Sequence, residues 1–227
     1  MKVGIIGAMQ SEVKFLLESL DNSEKITINS FVFFTGTLEN KQVVILKSGI
    51  GKVNAAIGTS LLINNFDIDY IINTGSAGGF IKYLKTGEFI IADKAVQHDV
   101  DVTDFGYQIG QIPKNEQFYY SDPELIKKAE DHLKNKKQKY HTGLIGTSDS
   151  FVSKANQVSK IINDFPEMIG CDMESAAIAQ VCTSFEKKFL IIRVITDNIN
   201  EKSKIDFNKF IDEAGVASGL IVKKIIK

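Results

Sequence analysis

Residues 2–20 read KVGIIGAMQSEVKFLLESL and place a short apolar run directly before an amphipathic stretch. The apolar run, residues 2–8, is too short for a buried helix and predicts a buried strand. From Ser11 to Leu20 the apolar residues recur at helical spacing, which predicts a helix with one face toward a core. A strand that leads into a helix is the repeating unit of α/β proteins.

The same alternation of strand-like and helix-like stretches continues along the chain. Further strands are predicted at 25–28, 31–38, 42–49, 69–79, 88–97, 141–151 and 189–198, the first three as a meander. Further helices are predicted at 53–64, 123–135, 155–163, 173–184 and 206–226. We therefore expect one α/β domain over residues 1–227, with a central mixed, largely parallel, twisted sheet flanked by helices on both faces.

The composition excludes several classes of protein. The 227 residues carry 27 basic and 28 acidic side chains, so nothing indicates a nucleic acid or a membrane surface as partner. No apolar run approaches the roughly 20 residues that span a bilayer, and the first residues predict a mature strand, not a signal peptide. Two cysteines, Cys171 and Cys182, are too few for a disulfide framework and indicate a reducing cytoplasm. The three histidines lack metal-ligand spacing.

Polar residues that follow apolar strands are the candidate functional residues, because ligands of such sheets collect at the carboxyl ends of strands. Four predicted strands are followed by such residues, at 9–12, 75–79, 148–151 and 193–197. Glu174, at the start of an Ala-rich helix, is a fifth candidate. Residues 98–121 lack clear periodicity, and a loop of this length indicates a function or a covering partner.

Each candidate also has a structural interpretation. Glu12 and Glu174 are acids at helix starts, where the helix dipole favours them. Asp197 is either a half-buried functional carboxylate or a cap for the loop that follows it. Phe151 is either a core residue or an aromatic ring that stacks on a flat ligand.

The glycine-rich stretches do not match nucleotide-binding loops. Residues 2–8 contain only two glycines, and Val53 follows Lys52 where a phosphate-binding loop requires Ser or Thr. The cluster Thr74-Gly75-Ser76-Ala77-Gly78-Gly79 is compatible with a tight turn or with backbone N–H groups that approach a ligand closely.

Seven stretches together resemble one known family. They are MKVGIIGAMQSEV, KSGIGKVNAA, IINTGSAGG, HDVDVTDFGYQIGQIP, TSDSF, DMESAAIAQVC and IIRVITD, collinear from residue 1 to about 215. They resemble the 5′-methylthioadenosine/S-adenosylhomocysteine nucleosidases, part of the purine nucleoside phosphorylase-like superfamily. The resemblance implies the fold of that superfamily, a central mixed sheet with flanking helices.

The resemblance also implies a reaction. The protein would hydrolyse the N-glycosidic bond of 5′-methylthioadenosine and S-adenosylhomocysteine to adenine and the thioribose product. We expect it to act also on 5′-deoxyadenosine. The reaction would serve methionine salvage and the removal of methyl-transfer by-products. Asp197 matches the acid that protonates N7 of the purine, and Glu12 matches the base that activates water. Such a pair of carboxylates on opposite faces of an oxocarbenium-like sugar parallels inverting glycoside hydrolysis.

The remaining site residues are carried over by the same resemblance. Glu174 would accept hydrogen bonds from the ribose hydroxyls beside Met173, and Arg193 and Ser76 would help to hold the water. The residues expected around the purine are Ala77, Gly78, Phe151, Val152 and Thr196. Those expected around the 5′ substituent are Met9, Ile50 and Phe207. Val102, Phe105 and Pro113 match residues donated by a partner subunit, which implies a homodimer. Water is the co-substrate, so no metal or organic cofactor is implied.

Two alternatives and several departures from the family pattern accompany this interpretation. A nucleoside phosphorylase would bind phosphate, usually with several arginines, and this chain has only Arg193. A non-enzymatic nucleoside-binding protein would lack one of the two carboxylates. The departures put substrate preference in doubt more than reaction type; they are the run Thr147–Phe151, Asp172 for Glu, Thr196 for Ser, and Gln10 and Ser11 for acidic residues.

Overall fold

Ten strands form a mixed sheet in the computed structural model, which describes residues 1–80, 84–198 and 207–227. The strands are Lys2–Gly7 (β1), Asp21–Ile28 (β2), Phe31–Leu38 (β3), Lys41–Lys47 (β4), Tyr70–Gly79 (β5), Phe89–Gln97 (β6), Tyr119–Tyr120 (β7), Tyr140–Thr147 (β8), Met168–Asp172 (β9) and Lys188–Asn198 (β10). The helices are Gln10–Glu18 (α1), Lys52–Phe66 (α2), Pro123–Asn135 (α3), Ala155–Asp164 (α4), Ser175–Ser184 (α5) and Phe207–Ile225 (α6), with a 3₁₀ turn at Thr103–Phe105.

One end of the sheet is the predicted meander. Strands β2, β3 and β4 pair antiparallel in sequence order. The turn between β3 and β4 has two left-handed residues, Glu39 and Asn40, with φ of 49° and 61°. This backbone matches the right-handed twist of a tight hairpin. β4 then pairs in parallel with β1, and β1 with β5, so the meander extends the central sheet.

The other end of the sheet closes on itself. β5 pairs with both β9 and β10, and the order β10-β6-β8-β9-β5 returns to β10. The mixed sheet is thus confirmed. Five of the ten ladders between described strands are parallel, and these include the two longest, β5 with β10 and β6 with β8, so the sheet agrees with the prediction. Closure brings the ends of β5, β9 and β10 together at one rim, and this rim carries the site.

Helices cover both faces of the sheet, as predicted. On one face α1, α3 and α6 pack together and bury residues such as Val13, Leu125 and Ala214. On the other face α2 and α5 pack together and bury Leu62 and Ile178. Burying a Val, Leu or Ile side chain contributes roughly 1.5–3 kcal/mol, so the two apolar layers stabilise the sheet that carries the site.

Three details differ from the predictions. β5 extends to Gly79 as predicted, but the glycine cluster is not a tight turn, because its glycines pair with β10 and β9. The stretch Met168–Asp172 is a strand that periodicity did not indicate, and α5 begins only at Ser175. The predicted start of the last helix, Asp206, lies outside the described residues. No helix in the described ranges is both long enough and apolar enough to cross a bilayer.

Candidate active site

The carboxyl ends of β1, β5, β9 and β10 and the loop after β8 open into one cavity of about 220 Å³. Among the side chains that the structure describes, every residue expected to contact substrate from within the subunit lines this cavity, except Arg193. The lining residues are Ala8, Met9, Glu12, Ile50, Ser76, Ala77, Gly78, Ser150, Phe151, Val152, Cys171, Asp172, Met173, Glu174, Thr196 and Asp197. Segments that are far apart in sequence therefore meet around one space of nucleoside size.

Glu12 is held from two sides. It lies in the first turn of α1 and is only 3% exposed. Its Oε2 accepts hydrogen bonds from the N–H groups of Ala8 and Met9, at 2.8 and 3.0 Å. Its Oε1 accepts from the N–H and the hydroxyl of Ser76, at 2.9 and 3.1 Å. Glu12 thus lies both at the start of a helix and at the wall of the cavity, and each of its carboxylate oxygens accepts hydrogen bonds.

Gly75 leaves space that both Glu12 and Arg193 use. Its φ is 153°, and a Cβ atom at this position would overlap both the Glu12 carboxylate and Nη1 of Arg193. Only glycine leaves room for the two charged groups to approach the β5 backbone at the point that a Cβ atom would fill. This role of the glycine cluster, close approach by side chains, differs from the tight turn considered from the sequence.

Arg193 lies behind the cavity wall and is 1% exposed. Its Nε donates to Asp172, and its Nη2 donates to Asn73 and Ser175, at 2.7–2.9 Å. Burial opposes its charge, but attraction by Asp172 and the nearby glutamates more than offsets this and raises the pKa of Arg193. Within the described part of the chain, Nη1 has no hydrogen-bond partner, and it is the nitrogen that faces Gly75 on the Glu12 side.

Asp172 is the centre of this network, and sequence analysis noted it only as a departure from the family pattern. It accepts hydrogen bonds from the Thr147 hydroxyl at 2.7 Å, from the N–H groups of Glu174 and Ser175, and from the Ser175 hydroxyl. Together with the ion pair to Arg193, these bonds join the ends of β8, β9 and β10 to the start of α5. A buried charge is tolerated only with such complete pairing.

Glu174 precedes the first turn of α5 and is 6% exposed. Its Oε1 accepts a hydrogen bond from the Gly51 N–H at 2.8 Å. Burial, followed by repulsion from Asp172, raises the pKa of Glu174 to about 7, although Arg193 acts in the opposite direction. The carboxyl group therefore changes charge near neutral pH while it faces the cavity.

Asp197 lies at the carboxyl end of β10, lines the same cavity as Glu12 and is half-buried. The β10 register with β5 shifts between Ile195 and Asp197, and such a bulge redirects the side chains near it. The Thr196 hydroxyl donates to Oδ1 of Asp197 at 3.0 Å. Burial raises the pKa of the Asp197 carboxyl above its ordinary value, although the bond from Thr196 acts in the opposite direction. A protonated carboxyl at the cavity wall is suited to donate a proton.

The mouth of the cavity is apolar and exposed. Phe151 is 61% exposed and Ile50 is 51% exposed, although both line the cavity. Val102, Phe105 and Pro113 are not among the lining residues, and Phe105 is 83% exposed on the 3₁₀ turn. Phe207 begins α6, and its side chain lies outside the described part of the structure.

The closed mixed sheet and the carboxylate-lined pocket at its rim define the class of this protein. The model of the phosphorylase superfamily matches residues 2–227, so the chain is a member of that superfamily.

Relatives within the superfamily narrow the assignment. A 5′-methylthioadenosine/S-adenosylhomocysteine nucleosidase of a Geobacillus species is 45% identical over 227 residues, which cover 100% of this chain and 98% of the relative. The crystal structure of the Neisseria meningitidis nucleosidase in complex with methylthio-immucillin-A has a TM-score of 0.96 at 40% identity, covering 100% of this chain and 98% of that one. The S. pneumoniae nucleosidase with a transition-state inhibitor has a TM-score of 0.95 at 39% identity, covering 100% and 99%. The chain belongs to the 5′-methylthioadenosine/S-adenosylhomocysteine nucleosidase family.

Proposed function

We propose that this protein hydrolyses the N-glycosidic bond of 5′-methylthioadenosine and S-adenosylhomocysteine and releases adenine. The observation that carries the proposal is that Glu12 and Asp197, 185 positions apart in sequence, line one cavity. A glycosidic bond between a ribose and a purine needs an acid at the leaving group and a base at the attacking water. Both groups are present here.

Asp197 acts at the purine. The bond between C1′ and N9 breaks with its electron pair going to the base, and a proton from Asp197 to N7 makes the leaving group neutral adenine. The raised pKa of the Asp197 carboxyl favours the protonated form that this step requires. Phe151, exposed at the cavity mouth, provides a flat apolar surface against which the purine ring stacks, and the Val152 backbone meets the purine edge.

Glu12 acts at the water. It accepts one proton of the water whose oxygen bonds to C1′, so the product is the free thioribose. Ser76 fixes the Glu12 carboxylate, and Nη1 of Arg193, without a partner among the described residues, is directed to the same side. Glu174 accepts hydrogen bonds from the ribose hydroxyls, and its negative charge stabilises the oxocarbenium-like sugar.

The functional unit that we propose is a cytoplasmic homodimer of one-domain subunits, and it uses neither a metal nor an organic cofactor. The segment 98–121 carries Phe105, an aromatic side chain that is 83% exposed, and Val102 and Pro113 lie in the same segment. The cavity mouth is also apolar and exposed at Ile50 and Phe151. Two such surfaces on one chain are complementary if each subunit covers the pocket of the other.

Replacing Phe105 by Ser is expected to weaken this association and raise KM for 5′-methylthioadenosine about tenfold or more, because loss of a buried aromatic anchor costs roughly 2 kcal/mol or more. Sedimentation velocity and steady-state kinetics measure the two effects on the same sample. A Phe105→Ser variant that sediments and turns over like the parent protein would contradict the shared-pocket arrangement.

Turnover without phosphate tests the reaction itself. In phosphate-free buffer, 5′-methylthioadenosine is expected to yield free methylthioribose and adenine at the full rate, and added phosphate should change nothing, because water is the nucleophile. Strict dependence on phosphate would assign the chain to the phosphorolytic branch of the superfamily. Binding without any product would assign it to nucleoside-binding proteins.

A further inference from the structure

The start of α2 is capped by carboxylates from other parts of the chain. Its own N-cap residue is Gly51, which has no side chain to cap the helix. The Gly51 N–H instead donates to Glu174 at 2.8 Å, and the Lys52 N–H donates to Oδ1 of Asp149 at 2.8 Å. The first N–H groups of a helix lack partners within the helix and carry partial positive charge, so each bond is favourable.

A closed ring of three charged residues surrounds this helix start. Lys52 Nζ bonds both oxygens of Asp99 at 2.8 and 2.9 Å, and Asp99 Oδ2 accepts a hydrogen bond from the Asp149 N–H at 3.3 Å. Asp149 closes the ring through its bond to the Lys52 N–H. The side chains of Lys52 and Asp99 are 18% and 33% exposed, so solvent screens their ion pair only in part.

The ring joins the two segments that form the cavity mouth. Ile50 directly precedes Gly51, and Phe151 follows Asp149 by two positions; both line the cavity. Gly51 has φ of 96°, and a Cβ atom there would lie 3.0 Å from Oδ1 of Asp149. The two segments are therefore in close contact, and a shift of Asp149 would displace the turn whose N–H orients Glu174.

From this juxtaposition we infer that Asp149 is a positioning residue, held by Lys52 and Asp99, that fixes the stacking ring of Phe151 relative to the ribose-binding carboxylate Glu174. The inference rests on the proposed function for the identity of the ligand. The simpler interpretation is that Asp149 only caps α2. A cap affects the stability of the fold, whereas a positioning residue also affects ligand binding in the folded protein.

The test uses Asp149→Ala, with Asp149→Asn as the conservative variant. Asp149→Ala is expected to raise KM for 5′-methylthioadenosine, and the dissociation constant of adenine measured by calorimetry, each about tenfold, the size expected for losing a hydrogen bond to a charged group. Asp149→Asn retains the Oδ1 acceptor and is expected to stay within about threefold of the parent protein. Lys127→Met, which removes an exposed ion pair with Asp131 on α3, is the matched control and should change neither value.

Lys52→Met and Asp99→Asn, alone and combined, test whether the ring acts as a unit. Both keep the Lys52 backbone N–H, and the double variant is expected to be no worse than the poorer single variant, since residues of one network are not additive. A different result is that folded Asp149→Ala and Lys52→Met proteins differ from the parent only in a lower melting temperature, with KM and adenine affinity unchanged. That result would contradict the inference and would mean that Asp149 only caps α2. If Asp149→Ala does not fold, Lys52→Met decides alone. Adenine binding is measured without turnover. If the protein binds adenine but does not hydrolyse nucleosides, the proposed function is refuted, and the effect of the ring on adenine binding can still be measured.

Discussion

Glu12→Gln is expected to lower kcat for 5′-methylthioadenosine by about 10²–10⁴-fold, the usual contribution of a general base, while adenine affinity changes little. The amide has nearly the same volume as the carboxylate, so the cavity keeps its shape. It cannot accept a proton from water, however, and one of its ends now carries an NH₂ group. This NH₂ faces the N–H donors of Ala8 and Met9 or those of Ser76, so the free energy of unfolding should also fall, by roughly 1–3 kcal/mol.

Ser76→Ala is the matched control for this change. It removes the hydroxyl that donates to Glu12 at 3.1 Å and leaves the backbone N–H donor in place. We expect kcat to fall only about tenfold, because one of two donors to that oxygen remains. Rapid-quench measurement of a single turnover separates bond cleavage from product release. If Glu12→Gln cleaves the bond at more than a tenth of the parent rate, another group must activate the water.

Local sequence patterns predicted most elements of the fold because those elements depend on neighbouring residues. The period of α1, the Pro123 start of α3 and the meander around Glu39 and Asn40 are examples. Closure of the sheet was not predicted, since it depends on β5 pairing with β10 more than a hundred positions away. β9 was missed because Met168–Asp172 is short and wholly buried, so no alternation marks it as a strand.

The site shows the same division between local and long-range information. Acids at strand ends, such as Asp197, could be named from their positions, and the family resemblance then gave them roles. The central place of Asp172 could not be predicted, because Thr147, Ser175 and Arg193 reach it from three separate segments. Nor does the sequence show that Arg193 lies behind the cavity wall, since strand alternation alone does not define depth.

The balance of charge in the site follows from these contacts. Four carboxyl groups line the cavity, and Arg193 behind the wall pairs directly with Asp172. Burial and the excess negative charge raise the pKa of Glu174, and the negative charge also favours a sugar that becomes positively charged as the base leaves. It is unfavourable for an anionic nucleophile such as phosphate, which agrees with water as the attacking molecule.

Asp197→Asn is expected to lower kcat for 5′-methylthioadenosine by about 10²–10⁴-fold, because adenine would have to leave as an anion. The pH dependence gives a second readout. Since the folded-state pKa of Asp197 is raised and its protonated form is active, kcat/KM of the parent protein should fall as pH rises through that pKa, and this limb should vanish in Asp197→Asn. Glu174 is proposed to act when ionised, so its pKa of about 7 would lower kcat/KM as pH falls, in the direction opposite to the effect of Asp197.

A substrate with a better leaving group distinguishes the roles proposed for Asp197 and Glu12. In the 4-nitrophenyl glycoside of 5-methylthioribose, the departing phenolate is stable without a proton, so Asp197→Asn should hydrolyse it within about tenfold of the parent rate. Glu12→Gln should remain impaired on this glycoside as on the nucleoside, because both reactions need an activated water. Equal loss of both substrates in Asp197→Asn would mean that Asp197 holds the sugar or the fold and does not protonate the base. That outcome would require a different acid, and the proposal that Asp197 protonates the purine while Glu12 activates the water would be wrong.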